Sequence, residues 1–512
     1  MKDTEWLREV ELPTEPLLTE CATEYTLPDY LPDMRRVVEV RGKLMPNSQY
    51  LEGNRGECTG ACVCSVLYCD PNGHINAFSL PLEYHYTPSV TAMDKEQIKW
   101  YEDQRLDHLT YRLMGPRKIQ LKATVVSRST FWEAEEKEAL KDEEGMEIFT
   151  KPCTARRVYP FRGEEKRMTF TLPLSAGKDI QILLTNGEVF VREWAEEKGG
   201  ALAKGEVKLE AVCVGEDGIP FTVFGKAAFE EVLPEEAYKI LLCQGKLTAL
   251  EANVNETEAG VEIAFDFGVA LSGFGAENET HQVVADAFST LYPMTVSYEE
   301  ETMEQQSASA TRFFTLDGSI DREENTPLQV MTVASTSIVA APLSFSLEGN
   351  RLTVSTNAHV HMLLSDSGGE DTPTLETKSF LYPLKMEIAF TEAPPEDSRW
   401  EGVCTLSPAH GRADQSKLYF EVDCSLTVWG VTKKTVRSVK DVTCHSDEPY
   451  EKSKHTVIAA YLKDGDTLWQ LAKRYHTSPA QIARQNGLPE EALENPDEAY
   501  TLDGYIRLLI TS

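Results

Sequence analysis

The sequence predicts a mainly β protein: three repeated antiparallel β-sandwich-like modules followed by one small α+β module of βααβ type. Three observations carry that prediction. Apolar, β-branched and aromatic runs of about five to ten residues are separated by Asn, Asp, Gly and Pro turns, with few long stretches of helical period. The phrase LEGNR occurs twice, starting at Leu51 and at Leu347, 296 residues apart. From about His455 the pattern changes to strand, two short helices, strand.

The 512 residues carry 50 Lys and Arg against 83 Asp and Glu, a formal charge of −33, with 41% apolar residues. That apolar content excludes a disordered acidic chain. The length suggests three or four domains at about 150 residues each. A surface this acidic disfavours nucleic acid and anionic lipid, whose binders neutralise phosphates with Lys and Arg. The N-terminus shows no basic start followed by an apolar run, so a cytoplasmic chain is expected. The stretch from Pro327 to Leu347 is uncharged but rich in Ser and Thr, and reads as buried strand rather than a transmembrane segment. Eleven cysteines, an odd number without an export signal, point to reduced thiols.

Each LEGNR copy opens an alternating strand, a Gly-containing turn (Asp70-Pro71-Asn72-Gly73; Ser367-Gly368-Gly369) and a second strand. A third copy lies between them, from Lys198-Gly199-Gly200-Ala201 through the turn Glu216-Asp217-Gly218. Related lead-ins begin at Tyr25, Phe170 and Phe314, and similar second halves begin at Ile119, Val261 and Leu418. The modules are therefore placed at residues 1–150, 151–300 and 301–447, with the last module at 448–512. Beads on linkers are expected, with the acidic stretches Glu299 to Gln306 and Glu392 to Asp397 as hinges. The run Glu133 to Glu143 reads as a solvated helix face.

In the last module, Asp466 is expected to cap a helix whose Leu468, Leu471, Ala472 and Tyr475 form one apolar face. Ser478, Pro479 and Gln481 make the start of a second helix, and Gly487 ends it in the left-handed region.

From Lys463-Asp464-Gly465-Asp466-Thr467-Leu468-Trp469 to Asn486-Gly487-Leu488, the chain resembles a LysM domain. It departs from that family between Asn495 and Gly504, where a short turn is replaced by a longer acidic stretch. The resemblance implies a groove in which Gly465, Asp466, Thr467 and Leu468 face Asn486, Gly487 and Leu488, the place where sugar-binding members hold N-acetylglucosamine polymers. Those same residue types also serve as cap, core and helix stop in any such fold, so a glycan and a protein occupant both stay open.

The phrase Leu27-Pro28-Asp29-Tyr30-Leu31-Pro32-Asp33-Met34 with Arg36 to Gly42, and the echo Asp286-Ala287-Phe288-Ser289-Thr290-Leu291-Tyr292, resemble the sporulation-coat repeat family SPOCS. Such repeats followed by one LysM domain are similar to coat-morphogenesis proteins of spore-forming Clostridia. The resemblance implies a non-enzymatic scaffold in the mother-cell cytoplasm at the forespore surface, docking through LysM on the basement-layer coat ATPase. The alternative is a peptidoglycan-binding protein of the cell wall or spore cortex.

Chemistry-bearing motifs are few. Cys58, Cys62, Cys64 and Cys69 invite a zinc reading. Adding 296 maps them onto Val354, Ala358, Val360 and Ser365, mostly apolar strand positions, so a core role is expected and no metal. His359 and His361 fall on one strand face with no third ligand in sight. No nucleophile elbow, phosphate loop, zinc-protease pair or dinucleotide fingerprint occurs. No catalytic residue and no cofactor are expected.

Overall fold

The computed structural model describes residues 4–91, 98–138, 140, 144–174, 179–197, 200–257, 260–322, 331–366, 374–450 and 457–511. The chain is mostly β, 73% strand and 5% helix, in several antiparallel sheets with a small α+β region at the C-terminus. In the first sheet pair, β1 (Thr4–Leu12) and β2 (Leu17–Thr26) lie end to end along one edge of a long strand, β7 (Lys118–Glu138), and β6 (Ile98–Gly115) takes its other edge. Facing them is the meander β3 (Arg36–Glu52), β4 (Arg55–Cys69), β5 (Ile75–Tyr86).

The second pair repeats the plan. Strands β8 (Met146–Arg162) and β9 (Lys166–Leu174) follow one another along β14 (Gly260–Ser289), with β13 (Ile240–Thr257) opposite. The facing meander is β10 (Gln181–Glu197), β11 (Gly200–Val214), β12 (Pro220–Leu233).

In the third pair the breaks move. A single strand, β15 (Met294–Asp321), fills the edge that two strands share elsewhere, and the meander's first strand is split into β16 (Met331–Ala340) and β17 (Ser344–Glu348) beside β18 (Arg351–Asp366) and β19 (Thr374–Ala389). Strands β20 (Arg399–Leu406) and β21 (His410–Ala413) lie along β22 (Lys417–Cys444). Proline explains three of these breaks, because it cannot donate to a ladder: Pro13 and Pro16 part β1 from β2, Pro342 parts β16 from β17, and Pro408 parts β20 from β21.

The repeat read from sequence is a repeat of core positions. Cys58, Cys62 and Cys64 are fully buried against Ile119, Leu121 and Ala123 of β7. Their counterparts 145 residues on, Ala203, Val207 and Leu209, and 296 on, Val354, Ala358 and Val360, are equally buried against β14 and β22. Cys69 projects from the opposite face, as parity requires, and all eleven cysteines are free. The LEGNR turn is also repeated: Glu52 pairs with Arg55 and Glu348 with Arg351 across two-residue turns whose Gly53 and Gly349 take φ of 59° and 60°. Positive φ at the first turn position selects glycine there. The turn at Ser367 to Gly369 lies outside the described residues.

The lead-ins are not equivalent in register. Tyr25 pairs with Ile119, at the very start of β7, whereas Phe170 pairs with Phe265 and Phe314 with Cys424, deeper along β14 and β22. The first lead-in leaves its sheet at the Leu-Pro phrase. There the Arg117 guanidinium donates to the carbonyls of Leu27, Pro28 and Leu31 and to Asp33 Oδ1 at 2.7–3.2 Å, fixing the loop and leaving Tyr30 outside.

Four sequence expectations need correction. Glu299 to Gln306 is no hinge, because it lies inside β15 and pairs residue by residue with β22. Glu392 to Asp397 lies in the loop between β19 and β20, within the third sheet pair. Glu133 to Glu138 belong to β7, paired with β1, not to a helix; residues 139 and 141–143 lie outside the described residues. Pro327 to Leu347 forms β16 and β17 over its described part, but only Ala334, Ser335 and Thr336 are buried.

Nor are the sheet pairs separate beads. One buried cluster joins Leu67, Val212 and Leu363, which occupy equivalent positions of β4, β11 and β18, with Leu183, Ala334 and Leu375 around them. Beside it the half-buried Arg41 of β3 bonds to Ser335 of β16 and lies 3.7 Å from the buried Glu210 of β11. A second cluster gathers Tyr101 and Trp132 from the first pair, Phe274 from the second and Trp429 from the third. The Phe274 ring sits 5.3–5.5 Å from each of the other three. Next to it, Arg156 of β8 bonds Glu304 of β15 at 2.8 Å and stands 3.5 Å from Glu11 of β1, which also meets Arg399 of β20.

Candidate functional site

The C-terminal module pairs β23 (Ile458–Tyr461) with β24 (Arg507–Ile510) and packs α1 (Leu468–Tyr475) and α2 (Pro479–Asn486) on one side, with the short α3 (Glu491–Glu494) and a 3-10 turn, Ala499–Leu502, in the long acidic connection. Leu468, Leu471 and Ala472 are buried on the core face of α1, and Tyr475 is half-buried.

The cap of α1 is Thr467, not Asp466: Thr467 Oγ1 accepts from the Gln470 N–H at 3.2 Å. Asp466 stands one residue earlier and closes the preceding turn instead, accepting from the Lys463 N–H at 2.9 Å and from Arg474 at 3.3 Å. The second start is as expected: Ser478 accepts from the Gln481 N–H at 3.1 Å, and Pro479 begins the helix. The Gln481 side chain does not return to the cap but reaches Thr511. Gly487 ends α2 at φ 63°, ψ 35°.

The seven groove residues therefore divide. Leu468 is fully buried and Thr467 nearly so; Leu468 and Leu488 meet in one apolar cluster, which brings the two loops together. Asn486 donates to the Leu509 carbonyl and accepts from the Leu509 N–H, both at 2.7 Å, so its amide is spent on β24. Gly465 and Gly487 are exposed and Asp466 is half-buried.

Residues 462–494 match the family model of the LysM domain. No curated protein and no solved structure matches the chain. LysM is a binding module without catalytic machinery, and this one is anchored to the β body.

Trp469, one position off the core stripe of α1, inserts between Phe149 and Phe288 at centroid distances of 5.4 and 4.9 Å. Its indole N–H donates to Asp286 Oδ2 at 2.9 Å, Lys473 donates to both Asp286 oxygens at 2.8–2.9 Å, and the Tyr298 hydroxyl donates to Oδ1 at 2.7 Å. Burial raises the Asp286 carboxyl, but these donors outweigh it and hold the group below its ordinary value. Tyr450 stacks on His476 at 3.6 Å, and Lys151 pairs with Asp497 at 2.7 Å. The DAFSTLY phrase thus supplies the seat of the LysM module. Sequence reasoning missed that contact; its one signal was a tryptophan beside, rather than on, the apolar stripe.

Among the described residues, no group of three or more His, Cys, Asp or Glu stands in metal-binding geometry, and no helix is long and apolar enough to cross a membrane. His359 and His361 lie exposed on β18, with His361 Nδ1 2.7 Å from Ser379 Oγ.

Proposed function

We propose that the chain is a non-enzymatic scaffold of endospore coat assembly, resembling the Clostridial protein SipL, built from three SPOCS-like modules whose sheet pairs open with β1, β8 and β15, and a LysM domain at 448–512. It works in the mother-cell cytoplasm at the forespore surface and docks through LysM on the basement-layer coat ATPase. The observation that carries this reading is the seat of Trp469 on Asp286 and Phe288: the SPOCS-like phrase and the LysM helix form one buried contact, so the module is presented in a fixed pose on a large acidic body. A chain with charge −33 suits basic protein surfaces and repels phosphate-bearing polymers. A fluorescent fusion in sporulating cells tests it. A ring around the forespore is expected, and labelling of septa or wall in growing cells overturns it.

The LysM match itself favours a second reading, a peptidoglycan binder using Gly465, Asp466, Thr467 and Leu468 against Asn486, Gly487 and Leu488. Retention of the purified chain on insoluble peptidoglycan, lost on deleting residues 448–512, would select it over the scaffold.

A further inference from the structure

The LysM sheet has two edges, and they are treated differently. Leu462 donates its N–H to the Ile506 carbonyl at 3.0 Å, so β23 residues of even number turn their backbone groups to β24, while Ala459 and Tyr461 turn theirs outward. On the β24 side amide side chains close the outward groups toward its C-terminal end: Asn486 takes both groups of Leu509, and Gln485 Oε1 accepts from the Thr511 N–H at 3.2 Å. On the β23 side, among the described residues, no strand or side chain pairs with Ala459 or Tyr461. Unpaired edges are ordinarily blunted, as β24 is here; an edge left open is a template for another strand.

The face beside the open edge is apolar and turned away from the body. Helix α1 lies between the sheet, which it meets through Leu468, Leu471 and Ala472, and the second sheet pair, which it meets through Trp469 and Lys473. The opposite sheet face carries Tyr461 and Leu509, 66% and 46% exposed, flanked by Val457 and Ile506 at 53% and 79%. Arg507, directly across from Tyr461, is the cation on that face.

We propose that the free edge of β23 receives an extended segment of a protein partner as a third strand. The segment bonds the backbone groups of Ala459 and Tyr461, lays apolar side chains on Tyr461, Val457 and Leu509, and sets a carboxylate against Arg507. This deepens the scaffold reading and rests on its claim that LysM docks protein.

The test pans the whole chain against displayed random dodecapeptides, then compares wild type with Ala459→Pro and Tyr461→Pro, which delete outward N–H groups and leave the inward ladder of Ile458 and Ala460 intact. Selected peptides should alternate apolar residues with a carboxylate and bind the proline variants at least about tenfold more weakly, with unchanged unfolding midpoints. No enrichment, or equal binding by the variants, overturns the proposal. Should the variants fail to fold, amide exchange of wild type decides: bound peptide must slow Ala459 and Tyr461, and unchanged exchange overturns it. A wild-type dimer that Tyr461→Pro dissolves would replace the partner strand by a second copy of this chain. Capture of the purified coat ATPase that ignores Tyr461→Pro overturns the edge and keeps the scaffold. Peptide capture that obeys it, without ATPase capture, does the reverse.

Discussion

The two clusters that join the three sheet pairs are built on different principles. At the first, Leu67, Val212 and Leu363 are repeat counterparts and do the same work three times over. At the second, the counterparts Trp132, Phe274 and Val431 also converge, but Tyr101 and Trp429 complete the aromatic packing and Glu11, Arg156, Glu304 and Arg399 supply a charge network with no threefold pattern. Repetition is enough to bring three similar faces together. Individual residues then decide which pair stands next to which, because a single buried arginine facing carboxylates from two other pairs fits in one arrangement only.

The largest effect should come from the hub of the second cluster. Phe274→Ala removes a ring that touches three aromatic partners and should cost about 3–5 kcal/mol in thermal or denaturant unfolding. A loss below about 1 kcal/mol would show that the pairs do not depend on it. The first cluster offers a sharper comparison. Leu67→Ala and Leu363→Ala should each cost about 2–4 kcal/mol and agree within about 1 kcal/mol, since both side chains are buried at equivalent places. Strongly unequal losses would mean that the apparent symmetry is not energetic.

A third test asks whether the interior of one sheet pair is distinguished by charge. Glu102 is buried among Tyr86, Ser129 and Trp100, all donating to it, yet burial wins and pushes its carboxyl up to about 7. The group therefore binds its proton more tightly folded than unfolded. Its contribution is fully present below the unfolded value near pH 4 and is lost as pH rises through about 7, with a slope up to about 1.4 kcal/mol per pH unit between them. Glu102→Gln should flatten the stability profile between about pH 5 and 7, and the equivalent interiors of the other two sheet pairs, which lack this carboxylate, provide the contrast.

What could be read from sequence follows the same division. Positions governed by a period are legible: the 296-residue repeat together with strand parity places Cys58, Cys62 and Cys64 in the core, and Ser478 and Gly487 mark the ends of α2 because cap chemistry is local. Adjacent good caps were ambiguous, so Asp466 was expected where Thr467 acts. Strand β15 reads as a hinge in sequence where it carries Glu299, Glu300, Glu301 and Glu304, because charge runs mask the alternation that marks a strand and its partner β22 reveals it. The junctions between sheet pairs and the seat of Trp469 depend on residues more than a hundred positions apart, which no local pattern encodes.

The smallest expected effect separates the LysM seat from both clusters. Asp286 accepts from Trp469, Lys473 and Tyr298 and remains partly solvated, so Asp286→Asn, which keeps the shape but discharges the Lys473 partner, should cost about 1 kcal/mol or less in global stability. The loss should be local: faster protease cleavage between residues 444 and 458, with the β body unfolding at its former midpoint. Because the wild-type carboxyl is held below its ordinary value, the seat is stabilised above about pH 4 and loosens as pH falls through the lowered folded value, opposite in sign to Glu102. A variant that unfolded the whole body would make the LysM module a structural fourth member of the assembly, and one that left cleavage unchanged would assign the anchoring to Phe149, Phe288 and Trp469 alone.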